Sequence, residues 1–475
     1  SQPRHRFVRC DGAVSVAAPR AAAGASRGAP GPPAGERLPQ STREWSVAAV
    51  VAIGAAAVVA MWWGDTPAGS LHGLADDVTA IGRLTGLLGT YVLLVGVALL
   101  ARAPWLDRFI GMDRLAVWHR RTGEYVVTLL TAHAAASVVG YALTDRVGVV
   151  SEARTVALRY PDMLMAVVAL ALLLMVGGVS ARAVRSRMRY HTWYFLHLYT
   201  YLAVVLALPH QLATGQELAD HPLSRGFWVA LHLVPAAMLL AYRVGAPLMS
   251  ARRHRMRVAS VEREGGDVVS ITIRGRHLDD LGTEPGQFFL WRFLTRDRWW
   301  QAHPFSLSAR PDASRLRITV RTNGDFTSGL PALHPGTRVI AEGPYGNVTL
   351  QRRTRRKVLL IGGGIGIAPL RAMLDSVSAR AGEVSVIYRA STDDDVVLRD
   401  ELDALAARRR ARLAYVIGPR DPDPLPPDRL RASLPDVAEH DAFVFGSGGF
   451  VDHVTSLLRR VGVPSAQIHA ERFEF

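Results

Sequence analysis

Two stretches decide how this chain reads: "WHRRTGEYVVTLLTAH" at 118–133 and "HLYTYLAVVLALPH" at 197–210. Both are apolar enough to lie within a bilayer, yet the first holds His119 and His133 and the second His197 and His210. Ionisable groups at membrane depth are costly, so each is a functional candidate by default. With about 1.5 Å of rise per residue, the fourteen-residue gap separates the first pair by about 21 Å and the thirteen-residue gap the second by about 20 Å. Fourteen residues return within about 40° of one helix face, whereas thirteen leave about 140°. Pro209, just before His210, removes a backbone hydrogen bond and can distort the helix there.

Working outward, six segments are long and apolar enough to span: roughly 45–63, 84–103, 116–141, 162–181, 193–210 and 226–248. The two histidine-bearing segments are third and fifth, so they run in the same direction. His119 and His197 then share one depth, and His133 and His210 another. Facing imidazoles at two depths can ligate two stacked six-coordinate haems. The plainer reading is scattered polar residues bonded between helices, as expected for His232 in the sixth span. His191 and His72, near span boundaries, are substitutes as ligands.

Arginine placement sets the orientation. Thirteen arginines fall in the connections 102–121 and 182–189 and at the exit 252–257, against three in the connections on the opposite side. An excess of basic residues marks the cytoplasmic side, so both termini are expected in the cytoplasm. The net charge of +15 comes from 56 Lys+Arg against 41 Asp+Glu, and Lys357 is the only lysine. One-sided segregation explains this charge better than nucleic-acid binding does. The Arg/Ala/Gly/Val bias suggests a bacterial source. A single cysteine, Cys10, excludes an intramolecular disulfide framework and cysteine-ligated iron–sulfur clusters. Any redox chemistry must therefore use bound cofactors. Residues 1–44, rich in Ala, Gly, Pro and Arg, read as a disordered tail rather than a signal peptide.

From about 252 the pattern changes to short alternating strands, such as 268–273 and 316–321. From Lys357 it changes again, to buried strands at 358–361, 384–388, 413–417 and 443–445 alternating with helical stretches, the pattern of a parallel sheet. The expected organisation is multi-domain: a six-helix transmembrane bundle (45–250) after the 1–44 tail, an antiparallel β-barrel (251–352), then a doubly wound α/β nucleotide domain (353–475). In the last, "KVLLIGGGIGIAPL" (357–370) is strand, glycine turn and helix. Gly362, Gly363, Gly364 and Gly366 let the backbone approach a diphosphate at the helix N-terminus.

The two histidine stretches, with their 14 and 13 spacings, resemble the haem-bearing helices of the ferric reductase and NADPH oxidase superfamily of transmembrane flavocytochromes, over about 45–475. The resemblance implies an inner haem on His119 and His197 and an outer haem on His133 and His210. "GRLTG" (82–86) opens the second span as in related reductases, placing Arg83 near the outer haem, where it would pair with a propionate or a developing oxygen anion; the structural alternative is a residue snorkelling at a helix end.

"HPFSLSA" (303–309) resembles the family's flavin motif: His303, Pro304 and Phe305 would pack the flavin, and Ser306 and Ser308 would supply hydroxyls, with Ser306 at the reacting ring. "NGDFTSGL" (323–330) matches its pyrophosphate turn through Gly324, Thr327 and Ser328, and "EGPYG" (342–346), with Gly343, its barrel-closing loop. Ala368-Pro369 fits the ferredoxin-reductase variant of the glycine turn. In "IYRAS" (387–391), Arg389 and Ser391 would hold a 2′-phosphate, favouring NADPH over NADH. "VFGSGGF" (444–450) stands where relatives carry a Cys-Gly-Pro turn; Gly446 and Gly448 keep the close backbone beside the nicotinamide, without the thiol. The terminal Phe475 resembles the aromatic that stacks on the flavin until nicotinamide displaces it.

The implied activity is transmembrane electron transfer in a bacterial plasma membrane, from cytoplasmic NADPH through FAD and two b-type haems to an outside acceptor. That acceptor is O2, a ferric chelate or a periplasmic redox partner. Some oxidases carry a further histidine where Ser137 stands, which weakens a dedicated oxygen site. Two other readings are a membrane-anchored reductase feeding a cytoplasmic carrier, and a haem-binding sensor without reductase activity.

Overall fold

The computed structural model describes residues 40–66, 71, 73–188, 190–219, 221–419, 423 and 425–473. Most of the 1–44 tail, Cys10, and the terminal Phe475 therefore lie outside the described residues. The chain forms two compact units, one of residues 38–245 and one containing 246–475.

The first unit is helical. Its long helices are α1 (Gln40–Gly64), α2 (Leu74–Leu99), α3 (Met112–Asp145), α4 (Met163–Ser180), α5 (Tyr190–Thr214) and α6 (Pro222–Leu239). Six helices of the described residues are long and apolar enough to cross a membrane, the last counted over Pro222–His254. They carry their apolar residues outward as well as inward. Val50 and Ile53 of α1 and Val205 of α5 are each well over half exposed, as lipid-facing residues of a spanning helix would be. Besides two four-residue turns of helix, Arg182–Arg185 and Gln216–Ala219, two longer helices not anticipated from the sequence lie between spans: Pro104–Ile110 and Val149–Arg159. The first ends on Gly111, whose φ of 102° favours glycine, and the fully buried Asp107 accepts a hydrogen bond from the Met112 amide at 2.7 Å. Arg243 donates to the Leu100 carbonyl just past the end of α2 at 2.7 Å, a cation serving an orphaned carbonyl.

α2 is unusual in composition. Gly82, Gly89 and Gly96 recur every seven residues, with Gly86 beside them. Glycine costs a helix roughly 1 kcal/mol relative to alanine, but here it removes the side chains that would hold α3 away. A Cβ on Gly89 would come within 2.7 Å of Leu130, and one on Gly82 within 3.0 Å of Ser137. α3 answers with the same period in the opposite direction at His119, Val126, His133 and Gly140. The seam is a glycine-lined antiparallel contact that returns every two turns.

The second unit begins with α7 (Ala246–His254). Strands β1 (Arg257–Gly265), β2 (Val268–Arg274), β3 (Phe288–Phe293), β4 (His303–Ser306), β5 (Arg315–Arg321) and β6 (Val339–Tyr345) follow. They make two three-stranded antiparallel sheets, β1-β2-β5 and β4-β3-β6, rather than one continuous ladder. Single bridges, Arg257 to Arg338 and Leu307 to Ile318, join them. Strand period explains the shared core: Phe289, Trp291 and Phe293 alternate along β3 and are completely buried. "EGPYG", expected as a loop, lies mostly within β6, and its Gly343-Pro344 bond is cis.

The remainder is a five-stranded sheet of β7 (Lys357–Gly363), β8 (Val384–Ala390), β9 (Arg412–Ile417), β10 (His440–Ser447) and β11 (Ile468–Phe473), every pair parallel. The order is β11-β10-β7-β8-β9, so the chain reverses its direction of growth between β7 and β10. In open α/β sheets the crevice beyond the strand ends at such a switch point is where ligands bind. Helices α8 (Ile367–Ser376) and α9 (Arg399–Arg409) follow β7 and β8, and α10 (Gly448–Arg460) follows β10.

Candidate functional site

In the helical unit, His119 and His197 bring their rings to 5.8 Å between centroids, at 70° to each other. His133 and His210 likewise lie within electrostatic range of each other. α5 runs as one helix through Pro209, so the thirteen-residue spacing is accommodated without a break. His119 Nδ1 lies 2.9 Å from the Gly96 carbonyl and His133 Nδ1 2.8 Å from that of Gly82. An acceptor at Nδ1 fixes the tautomer with hydrogen there and leaves Nε2 as the lone-pair nitrogen, the state a metal-ligating histidine needs. The acceptors, like the histidines, are fourteen residues apart, so the seam of α2 and α3 sets both rings at once. The residues come in twos: among the described residues no group of three or more His, Cys, Asp or Glu could hold a bare metal ion. Two imidazoles facing across a gap suit a metal whose other four ligands arrive with it, as in a haem.

Arg83 follows Gly82 in α2 and is already engaged. Its guanidinium donates to Thr66 Oγ1 at 2.6 Å and to Gln216, and lies 3.4 Å from the buried carboxylate of Glu217. Burial holds the Glu217 carboxyl above the usual range, against the pull of Arg83. The expected propionate or oxygen-anion partner of Arg83 would share the guanidinium with this internal set.

In the second unit, β3 sits between the two motif strands. Phe288 pairs with Ser306 on one side and with Tyr345 on the other, so "HPFS" and "EGPY" flank one strand. His303 stacks on Phe326 at 3.8 Å, with Phe305 a further ring in the same set. Pro304 is exposed and Phe305 nearly buried, its carbonyl accepting from the Trp291 indole at 2.9 Å. The 323–330 turn is self-bonded: Thr327 Oγ1 accepts from the Gly324 amide at 2.9 Å, and Ser328 Oγ donates to the Asp325 carbonyl at 3.2 Å. Ser308, expected to offer a hydroxyl to the flavin, is engaged within the protein. It is completely buried, and its Oγ accepts from Thr319 at 2.7 Å and from Arg317 at 3.2 Å. Arg317 in turn makes a two-pronged pair with Glu401 of α9 at 2.7 and 2.9 Å. Ser308 is therefore part of a brace from the antiparallel sheets to the parallel one.

At the switch point the glycine turns after β7 and β10 touch at the backbone. A Cβ on Gly366 would come within 2.2 Å of the Phe445 carbonyl oxygen. Gly364 has a φ of 54°, and the Pro369 nitrogen falls in the first turn of α8, where no amide hydrogen is required. Phe450 lies over both turns: a Cβ on Gly363 or Gly446 would come within 2.9 or 2.5 Å of its ring. Gly448 opens α10 in open space. Arg389 donates to the Gly418 and Pro419 carbonyls, each at 2.7 Å, pinning the loop after β9. A 2′-phosphate held by Arg389 would have to take the place of these bonds; Ser391, in the bend after β8, is exposed.

Residues 85–208 match the family described as ferric reductase like transmembrane component, 253–349 the FAD-binding domain family, and 360–429 the oxidoreductase NAD-binding domain family. The chain belongs to the ferric reductase/NADPH oxidase superfamily. Its reductase half is 29% identical over 46% of the chain to the ferredoxin reductase component of 3-ketosteroid-9-alpha-monooxygenase from Rhodococcus rhodochrous, covering 64% of that protein. It is 31% identical over 36% of the chain to ferredoxin–NADP reductase B of Sorangium cellulosum, covering 77% of it. A solved FAD/NAD-binding domain of nitric oxide dioxygenase from Vibrio cholerae overlays at a TM-score of 0.39 with 21% identity, over 46% of this chain and 98% of that one. The chain spans less than two-thirds of the first curated relatives it matches, between 62% and 66% of their length.

In this ferric reductase superfamily member, three participants escape a reading by motif. The Gly82 and Gly96 carbonyls belong to residues without side chains, and no residue type marks a backbone acceptor. Their seven-residue recurrence was the available signal. Phe450 was visible as an aromatic four residues beyond Gly446, and its place over both turns follows from α10 starting at the end of β10.

Proposed function

We propose that this chain is a transmembrane NAD(P)H oxidoreductase that moves electrons outward across a bacterial plasma membrane, with both termini and both nucleotide domains in the cytoplasm. The observation that carries the reading is the two histidine couples, His119 facing His197 and His133 near His210, each with one Nδ1 held by an α2 carbonyl. His119 and His197 would hold the inner haem and His133 and His210 the outer. When bound, FAD would accept the hydride of NAD(P)H, and the two haems would carry its electrons singly to an acceptor outside. His303, Phe305 and Ser306 would support the flavin, with Gly324, Thr327 and Ser328 serving its diphosphate once their local bonds are exchanged. Gly362, Gly363, Gly364 and Gly366 would receive the nicotinamide cofactor's diphosphate at the start of α8.

Phe450 and Gly446 bound the place of the nicotinamide ring, and Phe475 would cover the flavin in its absence. Arg389 would favour NADPH if its bonds to the Gly418 and Pro419 carbonyls are exchanged for a 2′-phosphate, and NADH is the other donor the nucleotide domain would accept. Two histidines on each iron leave no open coordination position, so the acceptor, a ferric chelate or O2, would be reduced without binding iron. Arg83 would pair with a haem propionate or a developing oxygen anion once its local bonds to Thr66 and Gln216 are exchanged. The test is an absorption spectrum of purified protein before and after NADPH: a b-type Soret band and its reduced α band are expected. His133→Ala that keeps both haems and full electron flow would refute the ligand scheme. Superoxide yield against ferric-chelate reduction in the same membranes separates the acceptors.

A further inference from the structure

Each of the four imidazoles has a second nitrogen, and the four differ in what that nitrogen meets. His119 and His133, on α3, each reach a backbone carbonyl at 2.9 and 2.8 Å. α5 is provided for unevenly. His197 Nδ1 lies 3.4 Å from the hydroxyl oxygen of Ser180, the last residue of α4. That oxygen also accepts from the Trp193 indole at 3.2 Å, and the indole lies 5.1 Å from the His197 ring, which holds the hydroxyl in place. His210 Nδ1 is buried and has no hydrogen-bond partner among the described residues. The Ala207 carbonyl on its own helix is nearby but is not met with hydrogen-bond geometry.

A ligating imidazole that donates its remote N–H to an acceptor is more basic and gives more electron density to the metal. Added density favours the more positive, oxidised iron and so lowers its reduction potential. The His119/His197 couple has two acceptors behind it; the His133/His210 couple has one, with a weaker approach of Ser137 Oγ at 3.5 Å to the same His133 nitrogen. Resting on the haem reading above, we propose that Ser180 is a positioning residue which, through His197, sets the inner haem at the lower potential, while unsupported His210 leaves the outer haem at the higher one. The gradient would then drive electrons outward, its size set by second-nitrogen partners rather than by the ligands, which are histidines throughout.

The test is a spectroelectrochemical titration of the full-length purified protein, after haem content is fixed by pyridine haemochromogen. Two haems per chain are expected, titrating as two separate waves. Ser180→Ala should raise the lower wave and leave the upper one in place, narrowing the gap; Ser180→Thr, which keeps a hydroxyl, should restore the wild-type gap. If Ser180→Ala costs a haem outright, the survivor should titrate at the upper wave. Coincident waves in the wild type, movement of the upper wave, no movement of either, or a survivor at the lower wave would each overturn the inference. Fewer than two haems in the wild-type protein would instead overturn the haem assignment on which it rests.

Discussion

Gly86 shows how much a single absent methyl group can hold. A Cβ there would come within 2.6 Å of His133 Nδ1, closer than packed atoms approach, so Gly86→Ala should push the ring from its acceptor. The expected result is selective loss of the outer haem, with the ratio of haem to protein falling from two towards one in a pyridine haemochromogen assay. Gly366→Ala meets a harder obstacle, because the atom in its way at 2.2 Å is the Phe445 backbone oxygen, which cannot rotate aside. It should destabilise the nucleotide domain by roughly 3 kcal/mol or more and abolish NAD(P)H oxidation, read as a lowered Tm and a lost NADPH-dependent absorbance change. At this scale the sequence was informative about residues defined by chemistry or by lack of bulk, such as His119 and Gly366. It was silent about partners: Arg389 and Ser308 stand where motifs put them, but their polar groups point to carbonyls and hydroxyls that only the folded chain brings near.

Elements were more legible than contacts. Each of the six expected spans overlaps one of the six long helices, because twenty apolar residues have few other uses, but the second begins ten residues after Leu74 and the sixth runs past Leu239. Strands β2, β5, β7, β8, β9 and β10 contain the stretches expected of them, because alternation and buried runs are local signals. Helices Pro104–Ile110 and Val149–Arg159 were missed for being short and mixed in composition. The link between β5 and α9 was also missed, since Arg317 and Glu401 lie 84 residues apart. Hydrogen bonds from Arg317, with Arg371 close by, hold the Glu401 carboxyl below the usual range against partial burial. A carboxyl depressed in the fold stabilises it above the unfolded value of about 4.3 and loses that contribution as pH falls through the lower, folded one. Arg317→Ala should therefore cost roughly 2 kcal/mol at pH 7, and the difference from wild type in thermal unfolding should shrink steadily below about pH 4.3.

For the whole molecule, the arginine asymmetry makes a sidedness prediction. Inverted vesicles should oxidise added NADPH and intact spheroplasts should not, with the reduced acceptor appearing on the opposite face; activity in intact spheroplasts would reverse the orientation. The glycine seam has a last consequence for how such a molecule can change. His119 and His133 are keyed to carbonyls the same two heptads apart on a neighbouring rod, so the two proposed haem stations are geared together. Sliding α2 by one residue would disengage both stations at once, and a deletion between Gly82 and Gly96 would put one out of phase with the other. The spacing of the stations is therefore a property of the backbone lattice: variation can retune each separately through side chains, but can move them apart or together only in whole heptads.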